Sequence, residues 1–127
     1  MSLRNPLARA RGLGSAKEGV HHWWMQRVSA IALAFLVPWF IVFLLRLPLA
    51  DHAAVYEAVA SPLNATLLLL LVGANFYHAK LGLQVVIEDY VHTPFLEVTL
   101  QLLVRFATLV AAVAAILAIV RIALSAG

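Results

Sequence analysis

Three long apolar runs, separated by short polar segments, make up most of the chain. The first run extends from Val28 to Leu45 without a charged residue and is bracketed by Arg27 and Arg46. Its eighteen residues would form a helix of about 27 Å, close to the roughly 30 Å hydrocarbon core of a bilayer. The run therefore predicts a transmembrane helix.

The second and third runs carry recognisable helix starts. Ser61-Pro62 and Thr93-Pro94 each place a good N-cap residue before a proline at the first helical position. Glu97 complements the N-terminus of the third helix. We therefore predict an all-α membrane protein with spans at about 28–46, 61–87 and 97–121, and a short connection over Leu47–Ala60.

Composition agrees with this prediction. Of the 127 residues, 64% are apolar and 12% are charged, whereas soluble domains have about 45–50% and about 25%. We expect one integral membrane domain over residues 1–127, with an N-terminal segment over 1–27. The formal charge of +3 is small, so we expect membrane lipid and no nucleic acid among the partners. Because the chain lacks cysteine, any redox centre that it holds must use histidine.

Basic residues predict the orientation. With the N-terminus in the cytoplasm, seven of the nine Lys and Arg residues lie inside and two lie outside, as the positive-inside rule requires. The C-terminus then lies on the outer side. The inside set is Arg4, Arg9, Arg11, Lys17, Arg27, Lys80 and Arg105, and the outside set is Arg46 and Arg121. A transit peptide is the alternative explanation of the Arg-rich start, but that start lacks an amphipathic pattern.

His78 is the main candidate functional residue, because a titratable side chain at membrane depth is costly and rare. On a helix it shares one stripe with Gly82, Val85 and Asp89, and Ala74 extends the stripe backwards. Small residues beside a buried histidine leave room for a flat porphyrin ligated by the imidazole. The alternative is a packed polar residue that hydrogen-bonds a neighbouring helix or relays protons, and spacing alone does not decide between the two.

Other polar residues lie in the same, cytoplasmic, leaflet. Arg27 and His21 are candidates for pairing with haem propionates. The alternative is that Arg27 only anchors the helix end among lipid phosphates and that His21 is solvated. Tyr90 is able to donate a hydrogen bond to a quinone carbonyl, and Asp89 is placed to orient an arginine or relay protons. The alternative for both is an interfacial position without a ligand.

Two motifs together resemble a known family. The pattern His-Ala-x-x-Gly-x-x-x-Val-x-x-Asp-Tyr-Val, from His78 to Val91, and the segment from Lys17 to Ile31 are similar to the small hydrophobic membrane anchor of succinate dehydrogenase. They cover about a quarter of the chain. His22 and Lys80 depart from some relatives, so the roles of these two residues stay open.

The resemblance implies a bacterial inner-membrane subunit of an enzyme complex that is not a complete enzyme alone. It implies a second three-helix cytochrome b anchor as partner, a haem b shared with it, and flavoprotein and iron–sulfur subunits that hold FAD and the clusters. His78 would be an axial haem ligand, His21 and Arg27 would lie near the propionates, and Tyr90 with Asp89 would bind ubiquinone. The rival predictions are a quinol:fumarate reductase anchor and a cofactor-free structural or transport subunit.

Overall fold

The computed structural model describes residues 17–48 and 50–125, and these are helical with short connections. The helices are α1 (Lys17–Arg46), α2 (His52–Ala60), α3 (Pro62–Tyr90) and α4 (Pro94–Ser125). Three of them, α1, α3 and α4, are long and apolar enough to cross a membrane, which confirms the three predicted spans. Residues Arg4, Arg9 and Arg11 of the orientation argument lie outside the described residues.

Each spanning helix is longer than its apolar run. Helices α1, α3 and α4 have 30, 29 and 32 residues, or about 43–48 Å against a hydrocarbon core of roughly 30 Å. The helices extend beyond the predicted spans because polar residues at the edge of the bilayer do not stop a helix. The part of the predicted N-terminal segment that the structure describes, residues 17–27, is the first part of α1.

The connection between the first two spans contains a helix that the apolar pattern did not predict. Asp51 caps α2, because its carboxylate accepts hydrogen bonds from the backbone N–H groups of Ala53 at 3.0 Å and Ala54 at 3.2 Å. An aspartate at this position satisfies donors that the first helical turn leaves unpaired. The connection over residues 47–60 is therefore an ordered part of the fold.

Helix α2 packs against α3 and α4 at the end of the bundle where α1 stops. The hydroxyl groups of Tyr56 and Ser125 form a hydrogen bond between α2 and the last turn of α4. The side-chain amide of Asn64 donates to the carbonyl of Ala58 at 2.8 Å, across the α2–α3 junction. These two contacts hold α2 against the ends of the spanning helices.

Helix α3 is the central element of the described structure. It packs against α1 on one side and α4 on the other, whereas α1 and α4 have no direct packing contact within residues 17–48 and 50–125. Within the residues that the structure describes, the buried apolar side chains all belong to α3 and are Ala65, Leu68, Leu81 and Ile87. Large side chains on the outer helices, such as Phe35 and Phe106, are mostly exposed. A helix array of this kind has extensive apolar surface for lipid or for another membrane chain.

Gly82 lies where α1 and α3 approach each other. A Cβ atom built on Gly82 would meet the side-chain Nε2 of Gln26 at 3.6 Å, which is an ordinary contact distance. A Cβ atom on Gly73, on the same helix, would meet nothing within 4 Å. Small residues at a helix interface allow close backbone approach in membranes, and here that applies to Gly82.

We expect Gly82→Ala to be accommodated and Gly82→Leu to force α1 away from α3. Overpacking of a close interface costs about 1–3 kcal/mol, so the leucine variant should unfold at a clearly lower temperature in detergent. Gly73→Leu is the matched control, because the space around Gly73 is open. Equal melting temperatures for the two leucine variants would contradict the close approach at Gly82.

Candidate functional site

His78 lies on the side of α3 that faces α1. Its Nδ1 atom is 3.0 Å from the hydroxyl oxygen of Ser29. The same hydroxyl lies 3.0 Å from the backbone carbonyl of Gln26 and donates to it. Ser29 is 6% exposed, and among the described residues no other side chain hydrogen-bonds the His78 ring. The imidazole is therefore held through one nitrogen by a residue of a neighbouring helix.

The predicted stripe on α3 is only partly open. A Cβ atom on Gly82 would contact the Gln26 side chain of α1 at 3.6 Å, so this glycine lies beside another helix, and its part in a porphyrin site stays a prediction. Ala74 is half-buried, whereas Val85 is 39% exposed and Asp89 is exposed. The stripe therefore lies against α1 near Gly82 and reaches the surface of the chain at Asp89.

The ends of the three spans that lie near His21 form a polar groove. It has a volume of about 590 Å³ and lies between the start of α1, the second half of α3 and Arg105 of α4. His21 and His22 line it from α1, and Gln84 and Glu88 line it from α3. Both signs of charge are present, so the groove is suited to water or to a polar group.

Two buried polar atoms near this groove have no hydrogen-bond partner among the described residues. They are Nε2 of His22 and the side-chain oxygen of Gln26. His22, Gln26 and Ser29 follow at helical spacing on the side of α1 that faces α3. Because buried polar groups are nearly always hydrogen-bonded, ordered water or a ligand atom is expected beside them.

Arg27 is not brought together with His78. Its guanidinium carbon lies 4.5 Å from the ring centroid of Trp23, one turn earlier on the same helix, which is a cation–π geometry. Arg27 is exposed and follows a direction about 160° from that of Ser29 around α1. His21 is also exposed and lies about 120° from Arg27. The two predicted propionate partners are therefore on different faces.

Asp89 and Tyr90 form the last turn of α3. Both are exposed, with Tyr90 at 79%, and neither side chain has a hydrogen-bond partner in the described part of the chain. Tyr90 lies twelve residues beyond His78, or about 18 Å along the helix axis. The chain presents these two polar groups on its surface and does not enclose them in a pocket of its own.

Lys80 lies on the side of α3 that faces α4, away from the His78 contact. It is half-buried, and it lines a groove of about 380 Å³ between α3 and α4 together with Arg105. The ammonium nitrogen lies 5.8 Å from the ring centroid of Tyr77. Lys80 is therefore part of the α3–α4 side of the bundle, opposite to α1.

Sequence reasoning missed Ser29 and Gln26 as neighbours of His78. A serine in an apolar run is an ordinary residue of membrane helices, and nothing local to it indicates a histidine 49 positions away. The available signal was the spacing of His22, Gln26 and Ser29, which places three polar residues on one face of a predicted span. A polar face on the first span would be expected to pack against the polar residue of the second span, which is His78.

The arrangement around His78 is compatible with a single axial haem ligand. One ring nitrogen is bound by Ser29, and the other has no hydrogen-bond partner among the described residues. Metal-ligating histidines commonly use one nitrogen for iron and the other for a supporting hydrogen bond. No cluster of three His, Asp or Glu side chains that could hold a metal ion occurs in the described ranges.

Comparisons with known proteins identify the family. The profile described as "Succinate dehydrogenase/Fumarate reductase transmembrane subunit" matches residues 1–120. A succinate dehydrogenase hydrophobic membrane anchor subunit from Rickettsia bellii is 38% identical over 117 residues, which are 92% of this chain and 94% of the relative. The Rickettsia conorii protein of the same name is 39% identical over 89% of this chain and 90% of its own length.

A relative from Paracoccus denitrificans has the same name and is 33% identical over 90 residues, or 71% of this chain and 70% of the relative. The profile match and the three spanning helices agree with each other over nearly the whole chain. The chain belongs to the family of succinate dehydrogenase/fumarate reductase transmembrane subunits, and its curated relatives are hydrophobic membrane anchors of succinate dehydrogenase.

Proposed function

We propose that this chain is the anchor of a succinate:ubiquinone oxidoreductase that holds a haem b jointly with a second three-helix anchor subunit and contributes to the ubiquinone-reduction site. The observation that carries the proposal is the His78 ring, which Ser29 holds through Nδ1 while Nε2 has no partner among the described residues. A single histidine supplies one axial ligand. The second ligand would come from the partner anchor.

The residues of this chain have separate roles in that proposal. His78 holds the haem iron, which supplies one-electron transfer when it is bound. His21 lines the polar groove at the ends of the spans and is placed to pair with a propionate. For Arg27, the same role requires the haem edge to extend around α1 to the face that carries Trp23. FAD and the iron–sulfur clusters belong to the flavoprotein and iron–sulfur subunits.

Tyr90 and Asp89 would form this chain's part of the ubiquinone pocket. Their exposure at the end of α3 supports a pocket completed by other subunits, because the chain does not enclose them itself. The Tyr90 hydroxyl would donate a hydrogen bond to a quinone carbonyl. Asp89, one residue earlier, is close enough to orient a cationic side chain of a partner or to exchange protons with water.

Sorting of the basic residues supports a cytoplasmic N-terminus in the bacterial inner membrane. Consecutive spans run in opposite directions, so Arg27, Lys80 and Arg105 lie toward one end of the bundle and Arg46 and Arg121 lie toward the other. The tryptophan pair Trp23–Trp24, at a centroid distance of 6.4 Å, is near the first end, where an interfacial aromatic belt is expected. The flavoprotein and iron–sulfur subunits would bind at that end.

Two related functions have support of their own. The matching family also includes fumarate reductase anchors, in which the same quinone chemistry runs in reverse, although the curated relatives are named for succinate dehydrogenase. A cofactor-free structural subunit is the second alternative, because the Ser29–His78 hydrogen bond would by itself satisfy one of the two ring nitrogens of His78. Measurement of haem in the complex separates that alternative from the proposal.

We expect His78→Ala to abolish or shift the low-spin b-type bands in the reduced-minus-oxidised spectrum of the purified complex, because an axial ligand is lost. His92→Ala is the matched control, since His92 is exposed and follows the end of α3. The control should retain the wild-type bands. A wild-type complex without haem would refute the cofactor proposal.

Tyr90→Phe should lower the kcat/KM for ubiquinone reduction by about fivefold to tenfold, since loss of one hydrogen bond costs about 1 kcal/mol. Succinate oxidation with an artificial dye, which bypasses the membrane site, should not change. Tyr56→Phe is the control, because Tyr56 bonds Ser125 at the opposite end of the bundle. Unchanged quinone kinetics in Tyr90→Phe would contradict the proposed hydrogen bond.

The absence of cysteine in the sequence makes orientation directly measurable by single introduced thiols. With the N-terminus in the cytoplasm, Ala53→Cys on α2 should react with a membrane-impermeant maleimide in spheroplasts. Thr93→Cys, between α3 and α4, should react only after the membrane is opened. The reverse pattern would overturn the proposed orientation.

A further inference from the structure

We infer that Ser29 is a positioning residue that fixes the tautomer and the orientation of His78, so that Nε2 is the nitrogen presented to iron. This inference rests on the proposed haem site and adds a residue to which neither the family nor the relatives' names assign a role. Ser29 is the buried polar residue of the described structure. It lies on α1, and therefore joins the first span to the proposed ligand on α3.

The hydrogen atoms around Ser29 decide the tautomer. A serine hydroxyl has one hydrogen and two lone pairs. Its oxygen is 3.0 Å from the carbonyl oxygen of Gln26 and 3.0 Å from Nδ1 of His78. A carbonyl oxygen only accepts, so the hydroxyl hydrogen is directed at Gln26, and the serine oxygen accepts the hydrogen of Nδ1.

The opposite assignment is unfavourable. If the hydroxyl donated to Nδ1 of His78, its oxygen would face the Gln26 carbonyl oxygen at 3.0 Å without a hydrogen between the two lone pairs. A neutral imidazole carries one N–H and one lone pair. With the hydrogen on Nδ1, the lone pair of Nε2 is free for a metal. The Ser29 oxygen then satisfies one ring nitrogen, and the metal would satisfy the other.

The position of Ser29 is itself set by helix packing. Ser29 is buried, and Gly82 allows the Gln26 side chain of α1 to approach α3 closely. The serine therefore cannot turn to water without separating the helices. It acts on His78 from another span, which fixes the ring plane in a way that a residue of α3 could not.

A hydrogen bond from Nδ1–H to an oxygen raises the basicity of the ligating nitrogen and fixes the ring orientation. Stronger donation stabilises the oxidised iron. Loss of the serine oxygen should therefore weaken haem retention by about tenfold or more and raise the midpoint potential. His78 would still be present, so ligation would be weakened and not abolished.

The test is a redox titration of the haem bands in the purified complex with all its subunits, for Ser29→Ala, Ser29→Thr and wild type. We expect the alanine variant to keep b-type bands with a higher midpoint potential and faster haem loss to apo-myoglobin. The threonine variant keeps the hydroxyl and should restore wild-type values. Ser61→Ala is the matched control, since the Ser61 side chain makes no capping hydrogen bond.

Identical potentials and haem-loss rates in Ser29→Ala and wild type would overturn the inference while leaving the proposed haem site intact. If the alanine variant does not assemble, Ser29→Cys decides, because sulfur is a weak acceptor and a wild-type potential in that variant would refute the role of the oxygen. A wild-type complex without haem would refute the proposed function instead. The three outcomes are distinct.

Discussion

The hydrogen bond between Ser29 and His78 is the polar contact that joins the first span to the second. A polar ring placed in a helix that crosses lipid is costly unless a partner satisfies it. Among residues 17–48 and 50–125, this is the one hydrogen bond between side chains of two spanning helices. It defines which face of α1 meets α3. The same contact turns the other polar residues of that face, His22 and Gln26, toward α3.

The described part of the chain has little interior of its own. Its few buried apolar side chains all lie on α3, and α1 and α4 each cover only one side of that helix. Helix association in lipid is driven by close packing and polar contacts and gains little from burial of apolar surface. Gly82 and Ser29 supply these two contributions at the α1–α3 interface, so a small number of residues carries the specificity of that interface.

The architecture could be predicted from sequence because apolar runs about as long as the hydrocarbon core is thick form transmembrane helices. The start of α3 at Pro62 also followed from the Ser61-Pro62 pair. Helix α2 was missed because a nine-residue helix has no long apolar run, although Asp51 was an available cap signal. The neighbour of Gly82 on α1 could not be predicted because a missing side chain makes room equally for a cofactor or for another helix, and the sequence does not place Gln26 beside it. Ser29 was missed because its partner is 49 residues away, and only its helical spacing from His22 and Gln26 marked that face of α1.

Helix α3 runs without a break from His78 to Tyr90. The number of residues between the two therefore sets both their separation along the helix axis and the angle between them around it. Each inserted residue would lengthen the separation by about 1.5 Å and rotate the far side chain by about 100°. Insertions therefore act mainly by rotating Tyr90 around the helix axis relative to His78. An insertion of four residues, slightly more than one turn, would nearly restore the original direction of Tyr90. Between the proposed haem ligand and the proposed quinone contact, substitutions leave this geometry unchanged, whereas insertions and deletions alter it.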